Sequence, residues 1–384
     1  MKRKILFLES RFNSFYGAQK SMVKLIKSLD SEKFEPTVVT TENGMLSKNL
    51  RKENIPFTIL KIGQESNVFG GKVLKYSVFK KMTVGFQILV YNIKLIKYIR
   101  KNNIDIVYVN DLRALIYSIL STKLLRKKNV WYIRSDISNS LLTNISLRLS
   151  TNIITIANGV LRHIPKSVID SHAEKITNIY TGFSFNEGET NDKNISKQKL
   201  KLPKDKLLVG YLGSINERKG LDFLIHSFKD LKSDSNEPNL LVVGDTSPGY
   251  ESQWEALKKT AKENGDFLIH LPYSNEIEKI YSAIDIFVLP SRSEGLPRVA
   301  IEAMSYKVPV IVTDVGGAKE IVDDNIDGLV IEKDNKVELI NALEILLKDQ
   351  NKRLEFGSRG FQKVNNKFSE KEFVQKVNNY FREI

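Results

Sequence analysis

The chain has no cysteine, which excludes disulfides, thiolate metal centres and a cysteine nucleophile together and fits a reducing compartment. Only four histidines occur, His163, His172, His226 and His270, and they are scattered, so no cluster has the spacing of a metal site. Ten prolines and 21 glycines in 384 residues are too few for a fibrous or disordered chain. Long apolar runs are missing as well. The run that begins at Ile5 stops at Leu8, with Glu9, Ser10 and Arg11 directly behind it, too short for the core of a signal peptide. The longest weakly polar stretch, Met82 to Ile93, falls short of the roughly 18 residues that a membrane span needs. A cytoplasmic protein without a span is expected.

One further absence is local. From Ser66 to Ile104 there is no acid, while Lys72, Lys75, Lys80, Lys81, Lys94, Lys97, Arg100 and Lys101 are present. Residues 1–190 hold 30 Lys and Arg against 14 Asp and Glu, a balance of +16, and the remainder holds 29 against 31, or −2. The excess charge of the first half implies a polyanionic partner, either nucleic acid or an anionic lipid surface.

What is present is a regular alternation of short apolar runs and longer helical patterns, the pattern of parallel sheets with crossover helices. The strand candidates of the first half are 4–8, 37–40, 57–60, 106–109, 130–133, 152–156 and 176–180. Those of the second half are 207–212, 240–243, 267–270, 286–289, 310–313 and 328–331. This predicts an α/β chain of two Rossmann-like domains, 1–185 and 202–369, with a linker over the lysine-rich stretch 186–201. A last helix, within 370–384, is expected to cross back onto the first domain. At 100° per residue, Ile88, Leu95, Ile96 and Ile99 of a helix over 86–101 face the sheet, and Lys94, Lys97, Arg100 and Lys101 share the other side with Phe86, Val90 and Ile93. Apolar residues among lysines suit a lipid headgroup surface, and an ordinary solvated helix with a broad core contact is the alternative.

The stretch from Pro290 to Ile331 concentrates the chemistry. Glu294 and Glu302 stand there with seven residues between them, the first in the loop after a strand and the second inside the following helix. Acids at the carboxyl end of a parallel strand lie where ligands bind, and the backbone N–H groups of Leu296, Arg298 and Val299 at the helix start are available to an anion or a hydroxyl. Pro290-Ser291, Glu294-Gly295-Leu296-Pro297, Glu302-Ala303-Met304, Val308-Pro309-Val310 and Gly316-Gly317 followed by Glu320 stand in one order. A second motif runs from Val209 to Phe228, where Gly213 and Ser214 follow a strand and Arg218-Lys219-Gly220 opens a helix. Two cations beside a positive helix terminus call for an anion.

This order resembles the nucleotide-binding domain of glycosyltransferase family 4, retaining enzymes of the GT-B fold, in which two Rossmann-like domains face each other across a deep cleft. The resemblance is close over most of 205–350 and looser in the first half. It implies that Glu294 contacts hydroxyls of a donor sugar, Glu302 the ribose hydroxyls and Lys219 the diphosphate, with Arg218 replacing the arginine that the family often has where this chain has Ser214. It implies base recognition by the backbone around Pro272 and Tyr273, and approach of donor phosphate and acceptor to Gly17, where many members have two glycines. Where the family places histidines at first-domain strand ends, this chain has Asn110 and Arg134-Ser135-Asp136. Asn110, Arg134 and Asp136, with Arg11 and Asn13 of the first loop, are the acceptor-binding candidates.

The implied activity is transfer of a sugar from a UDP- or GDP-sugar to a glycan or glycolipid acceptor on an anionic membrane surface, in bacterial surface polysaccharide synthesis. In a front-face transfer the departing diphosphate takes the acceptor proton, and Lys219, Arg218 and the helix N-termini at Gly17 and Gly317 stabilise it. No cofactor or essential metal is expected, and Asp323-Asp324 reads as a capped turn. A GT-B hydrolase or epimerase of nucleotide sugars is the alternative. A basic nucleic-acid-binding protein is disfavoured, because the basic residues lack interleaved aromatics or a known motif.

Overall fold

The computed structural model describes residues 2–67, 76–185, 192–231 and 237–384. These form two compact units. The first comprises Met1–Ile156, Leu161–Thr181 and Phe373–Ile384, and the second Ala157–Val160 and Gly182–Glu372.

The first unit is built on seven parallel strands: β1 (Arg3–Glu9), β2 (Phe34–Thr40), β3 (Phe57–Ile59), β4 (Ile106–Val109), β5 (Lys128–Ile133), β6 (Asn152–Thr155) and β7 (Ile176–Asn178). Their order is β3-β2-β1-β4-β5-β6-β7, so the winding reverses between β1 and β4. All of β4 and the residues Ile5 to Glu9 of β1 are buried, as expected of strands covered on both faces. β2 begins earlier than its apolar pattern indicates because it includes Pro36, which pairs with Ile5 on one side. On the other side β3 joins only from Val38, so the missing N–H of Pro36 breaks no ladder bond.

The last helix, Glu370–Glu383, packs its C-terminal part on this sheet's first turn of chain. The Phe381 ring lies 6.2 Å from that of Phe34, Asn378 accepts from the Asp30 N–H at 2.7 Å and donates to the Ser28 carbonyl at 2.7 Å, and Arg3 donates to the Phe381 carbonyl at 2.7 Å.

The basic helix is longer than its pattern indicates, running over Val78–Asn102 from the Ser77 cap to Asn103 in the left-handed conformation. Tyr91, Leu95 and Ile99 are buried, and Ile88 and Ile96, expected in the core, are half-buried. Val78, Phe79, Met82, Phe86, Leu89 and Ile93 are exposed, Phe79 by 84% and Phe86 by 66%. At 100° per residue these six fall within about 100° of arc, and Lys97 and Arg100 continue the same stripe at its C-terminal end. Val90, expected among the exposed residues, is half-buried. Lys72 and Lys75 lie outside the described residues. Among the described residues no helix is long and apolar enough to cross a membrane.

The second unit holds six parallel strands: β8 (Leu208–Leu212), β9 (Asn239–Val243), β10 (Leu268–Leu271), β11 (Ile286–Leu289), β12 (Val310–Thr313) and β13 (Leu329–Ile331). The order β10-β9-β8-β11-β12-β13 again reverses next to the first strand, here between β8 and β11. Val209, Leu240, Val242, Ile286, Val288 and Ile311 of the sheet pack with Leu221, Leu224, Leu339 and Leu343 of the covering helices.

The stretch expected as a linker is not wholly irregular. Residues 186–191 lie outside the described residues, but Lys193–Lys199 is a helix whose Asp192 cap accepts from the Ile195 N–H at 2.9 Å. Its buried face consists of Ser196 and the stem of Lys197, whose ammonium donates to the Lys206 carbonyl at 2.7 Å. A polar residue and a lysine stem leave no apolar period to read.

Candidate functional site

Between β8 and β11, at the reversal of the second sheet, two loops leave the carboxyl ends of adjacent strands, the place where open α/β sheets bind ligands. The loop after β8 turns at Gly213 and passes through a short 3₁₀ segment, Glu217–Lys219, in which the Asn216 side chain accepts from the Lys219 N–H at 3.2 Å. Gly220 follows with φ +68°, and a Cβ added to it would lie 2.0 Å from the Pro290 carbonyl oxygen. Only glycine lets the two loops approach this closely.

The approach brings Lys219 and Glu294 together across 75 residues of sequence. The Lys219 ammonium donates to Glu294 Oε1 at 2.6 Å, the Ser291 hydroxyl donates to the same oxygen at 2.7 Å, and the Arg218 guanidinium lies 3.7 Å from Oε2 while donating to the Ser293 carbonyl at 2.6 Å. Glu294 is 8% exposed. The anion that the two cations called for is therefore Glu294 itself, so their pairing does not by itself require a phosphate. One carboxylate facing two cations still leaves a net positive charge.

Arg292 holds the two loops in register, a role missed from sequence. Its N–H donates to the Arg218 carbonyl at 2.8 Å and its guanidinium to the Glu217 carbonyl at 2.6 Å, to both carboxylate oxygens of Asp222 at 2.9 and 2.8 Å, and to Asp334 at 2.9 Å. A bidentate arginine fixes orientation as well as distance.

Glu302 lies in the helix Arg298–Ser305 and keeps separate partners: Tyr281 donates to it at 3.2 Å and Arg298 lies 3.9 Å away. Burial raises its pKa above the ordinary value, and the Arg298 charge and the Tyr281 hydrogen bond oppose the shift. Pro297 caps this helix, and its carbonyl takes the N–H groups of Ala300 and Ile301. The N–H groups of Arg298 and Val299, in the first turn, have no carbonyl of their own helix to reach. Leu296 is buried, and Gly317 donates its N–H to the Gly295 carbonyl at 2.7 Å, so that N–H is not free for a phosphate as expected. Ser214 is exposed and its carbonyl accepts from Tyr211 at 2.9 Å. Pro272 and Tyr273 are exposed, but the Tyr273 N–H is taken by Asp245 at 3.1 Å, which leaves carbonyls and ring rather than that N–H to meet a ligand.

In the first unit the acceptor candidates divide. Arg11 and Asn13 are exposed. Gly17 is exposed at the start of the helix Gly17–Ser28, and a Cβ added there would touch nothing within 4 Å, so its own unit imposes no need for glycine. Asn110 is buried and its side chain is spent internally: it donates to Glu9 and accepts from Arg134 at 3.0 Å and from Tyr108 at 3.3 Å. It is thus a hub and not an exposed contact. Arg134 also donates to Tyr108 at 2.9 Å and stacks 3.9 Å above the Tyr132 ring, and Asp136 is half-buried.

Glu9, at the end of β1, was not singled out from sequence, and neither was Asp111 beyond β4. Both sit at the reversal of the first sheet. The signal available was two acids closing adjacent parallel strands.

Among the described residues no group of three or more acids and histidines is placed to hold a metal ion.

Residues 192–363 match the family model of glycosyl transferases group 1. The chain is 31% identical over 235 residues to the capsular polysaccharide biosynthesis glycosyltransferase CapM of Staphylococcus aureus, covering 60% of each chain. It is 29% identical over 182 residues to the lipopolysaccharide core biosynthesis mannosyltransferase LpsB of Rhizobium meliloti, covering 46% of this chain and 52% of that one. The matches thus span about half to 60% of those relatives' lengths. Among solved structures, a glycosyltransferase from Rickettsia africae superposes with a TM-score of 0.82 at 20% identity, covering 100% of this chain and 98% of that one. Anabaena Alr3699/HepE in complex with UDP superposes at 0.77 and 20%, covering 100% and 99%. These likenesses identify the fold as GT-B.

Proposed function

We propose that the chain, whose residues 192–363 match the family model of glycosyl transferases group 1, is a retaining glycosyltransferase that moves a sugar from a UDP- or GDP-sugar to a membrane-presented glycan or glycolipid. The observation that carries this reading is the Lys219–Glu294 pair at the reversal of the second sheet, with Arg218 and Ser291 beside it. The donor diphosphate meets Lys219 and Arg218, and Glu294, released from the lysine, accepts from hydroxyls of the transferred sugar. Glu302 accepts from the ribose hydroxyls. The bond from the anomeric carbon to the diphosphate oxygen breaks, the acceptor oxygen bonds to the same face, and its proton passes to the departing diphosphate. The protein contributes positioning and stabilisation of charge on the leaving group, and with two cations in that place the reading requires no metal ion.

The names of CapM and LpsB support a surface polysaccharide acceptor, and the UDP held by HepE supports a nucleotide-sugar donor. The apolar stripe of the helix Val78–Asn102, continued by Lys97 and Arg100, supports docking on an anionic membrane, with the protein peripheral on its cytoplasmic face. A thermal-shift series with UDP, GDP and their sugars tests the donor, because a ligand that binds the folded chain raises the melting temperature by an amount that grows with the logarithm of its affinity. If none of them moves it, the reading fails. Proton NMR of the product made from an α-linked donor tests retention through the anomeric coupling.

A further inference from the structure

The second unit includes Ala157–Val160, which follow β6 in sequence and lead into a short 3₁₀ helix, Asn158–Leu161. Glu320, at the end of the Gly316-Gly317 motif, holds this segment. Its Oε2 accepts from the Asn158 N–H at 3.0 Å and its Oε1 from the Gly159 N–H at 2.7 Å, one carboxylate oxygen for each donor. Glu320 is itself fixed along the backbone. Its N–H donates to the Gly317 carbonyl at 3.0 Å, and its carbonyl accepts from the Lys367 ammonium at 2.8 Å.

The segment lies against Gly316 and Gly317 with no space for a side chain. A Cβ added to Gly159 would stand 1.9 Å from the Gly316 carbonyl oxygen, and one added to Gly317 would stand 2.5 Å from the Ala157 Cβ. The same loop is equally tight against Glu294. A Cβ on Gly316, whose φ is +52°, would stand 2.2 Å from the Glu294 carbonyl oxygen, and the Gly317 N–H donates to the Gly295 carbonyl at 2.7 Å. Ala157 and Val160 are fully buried, so the segment is packed and not merely laid on the surface.

We propose that Glu320 is a positioning residue: by clamping Asn158 and Gly159 it holds the Gly316-Gly317 loop against the Glu294-Gly295 peptide, and so fixes where the Glu294 side chain stands. A charged acceptor holds two N–H donors more firmly than a neutral one does. Backbones in direct contact pass a displacement on, because no side chain lies between them to absorb it. That Glu294 then meets a sugar rests on the glycosyl-transfer reading, whereas the clamp itself does not.

Amide hydrogen exchange and calorimetric titration of the full chain test the proposal together. Glu320→Ala is expected to exchange about tenfold faster over residues 314–320, while β12 keeps its native protection. Glu320→Gln, which retains one good acceptor, should fall between the Ala and native chains. In titrations with UDP, GDP, UDP-glucose and GDP-mannose, the nucleotide sugar that the native chain binds should weaken by about tenfold in Glu320→Ala, and the corresponding bare nucleotide hardly at all. Native exchange over 314–320 in the Ala chain, or equal acceleration in β12, overturns the clamp. Equal loss for nucleotide and nucleotide sugar overturns the positioning of Glu294. Should the native chain bind none of the four, the glycosyl-transfer reading falls and the exchange result alone decides the clamp. If Glu320→Ala does not fold, the same outcomes are read from Glu320→Gln.

Discussion

Replacement of Phe79 and Phe86 by serine tests whether the exposed stripe is a lipid-docking face. The two rings are 84% and 66% exposed. Full burial of a phenylalanine is worth about 1.5–3 kcal/mol, and an interfacial helix buries only the outward side, so the pair contributes about 2 kcal/mol, or roughly 30-fold in partitioning. Because neither ring is in the core, stability should change by no more than about 0.5 kcal/mol per site. Lys97→Gln with Lys101→Gln removes about 1 kcal/mol each by a different mechanism. Co-sedimentation with phosphatidylglycerol–phosphatidylcholine vesicles separates the two. The serine variant binds weakly at all salt concentrations but keeps its salt dependence, whereas the glutamine variant has a shallower salt dependence, because the lysine contribution is screened over about 10 Å at 0.1 M salt. Native-like vesicle binding by the serine variant, at equal stability, refutes the docking role.

Lys219→Ala should lower turnover by about 10²–10³-fold and reduce the melting shift given by UDP or GDP. Arg292→Lys loses the bidentate grip on Asp222 and should reduce turnover with little change in folding, read by steady-state kinetics beside circular dichroism. Gly220→Ala should destabilise the second unit by about 3 kcal/mol or more, from the clash with Pro290 and the positive φ, read as a lower denaturation midpoint. Glu302 has a raised folded pKa, so the neutral form is favoured on folding. Its contribution to stability is complete below the unfolded pKa and is lost as pH rises through the folded one. Glu302→Gln should therefore be more stable relative to the native chain at pH 7 than at pH 4, measured by thermal melts.

Both sheets were legible because parallel strands covered on two faces are continuous apolar runs, as in Ile106–Val109 and Ile286–Leu289. Where an element's buried face is not apolar, the pattern is silent, as in the helix Lys193–Lys199 with Ser196 and Lys197 inside. The first two turns of the basic helix were hidden for the opposite reason, since most of their apolar residues face outward. Lys219 and Glu294 were legible as separate motifs, but their pairing follows from the reversal of strand order, which no local window contains. Asn110 read as a strand-end contact because sequence shows position and not what the side chain already holds. Glu9 was passed over as the residue that ends an apolar run, although its buried side chain ties together Arg11, Gln19 and Asn110.

The pairing of Glu294 with Lys219 makes binding an exchange rather than an addition. An incoming anion must evict a resident counter-ion tethered at high effective concentration, and the carboxylate it displaces must find new donors in the same step. Inorganic phosphate or a bare nucleotide diphosphate would satisfy the lysine but leave the acid with Ser291 in place of two strong donors. On the proposed reading a diphosphate carrying a sugar satisfies both, so the Lys219–Glu294 pair would itself select against hydrolysed donor.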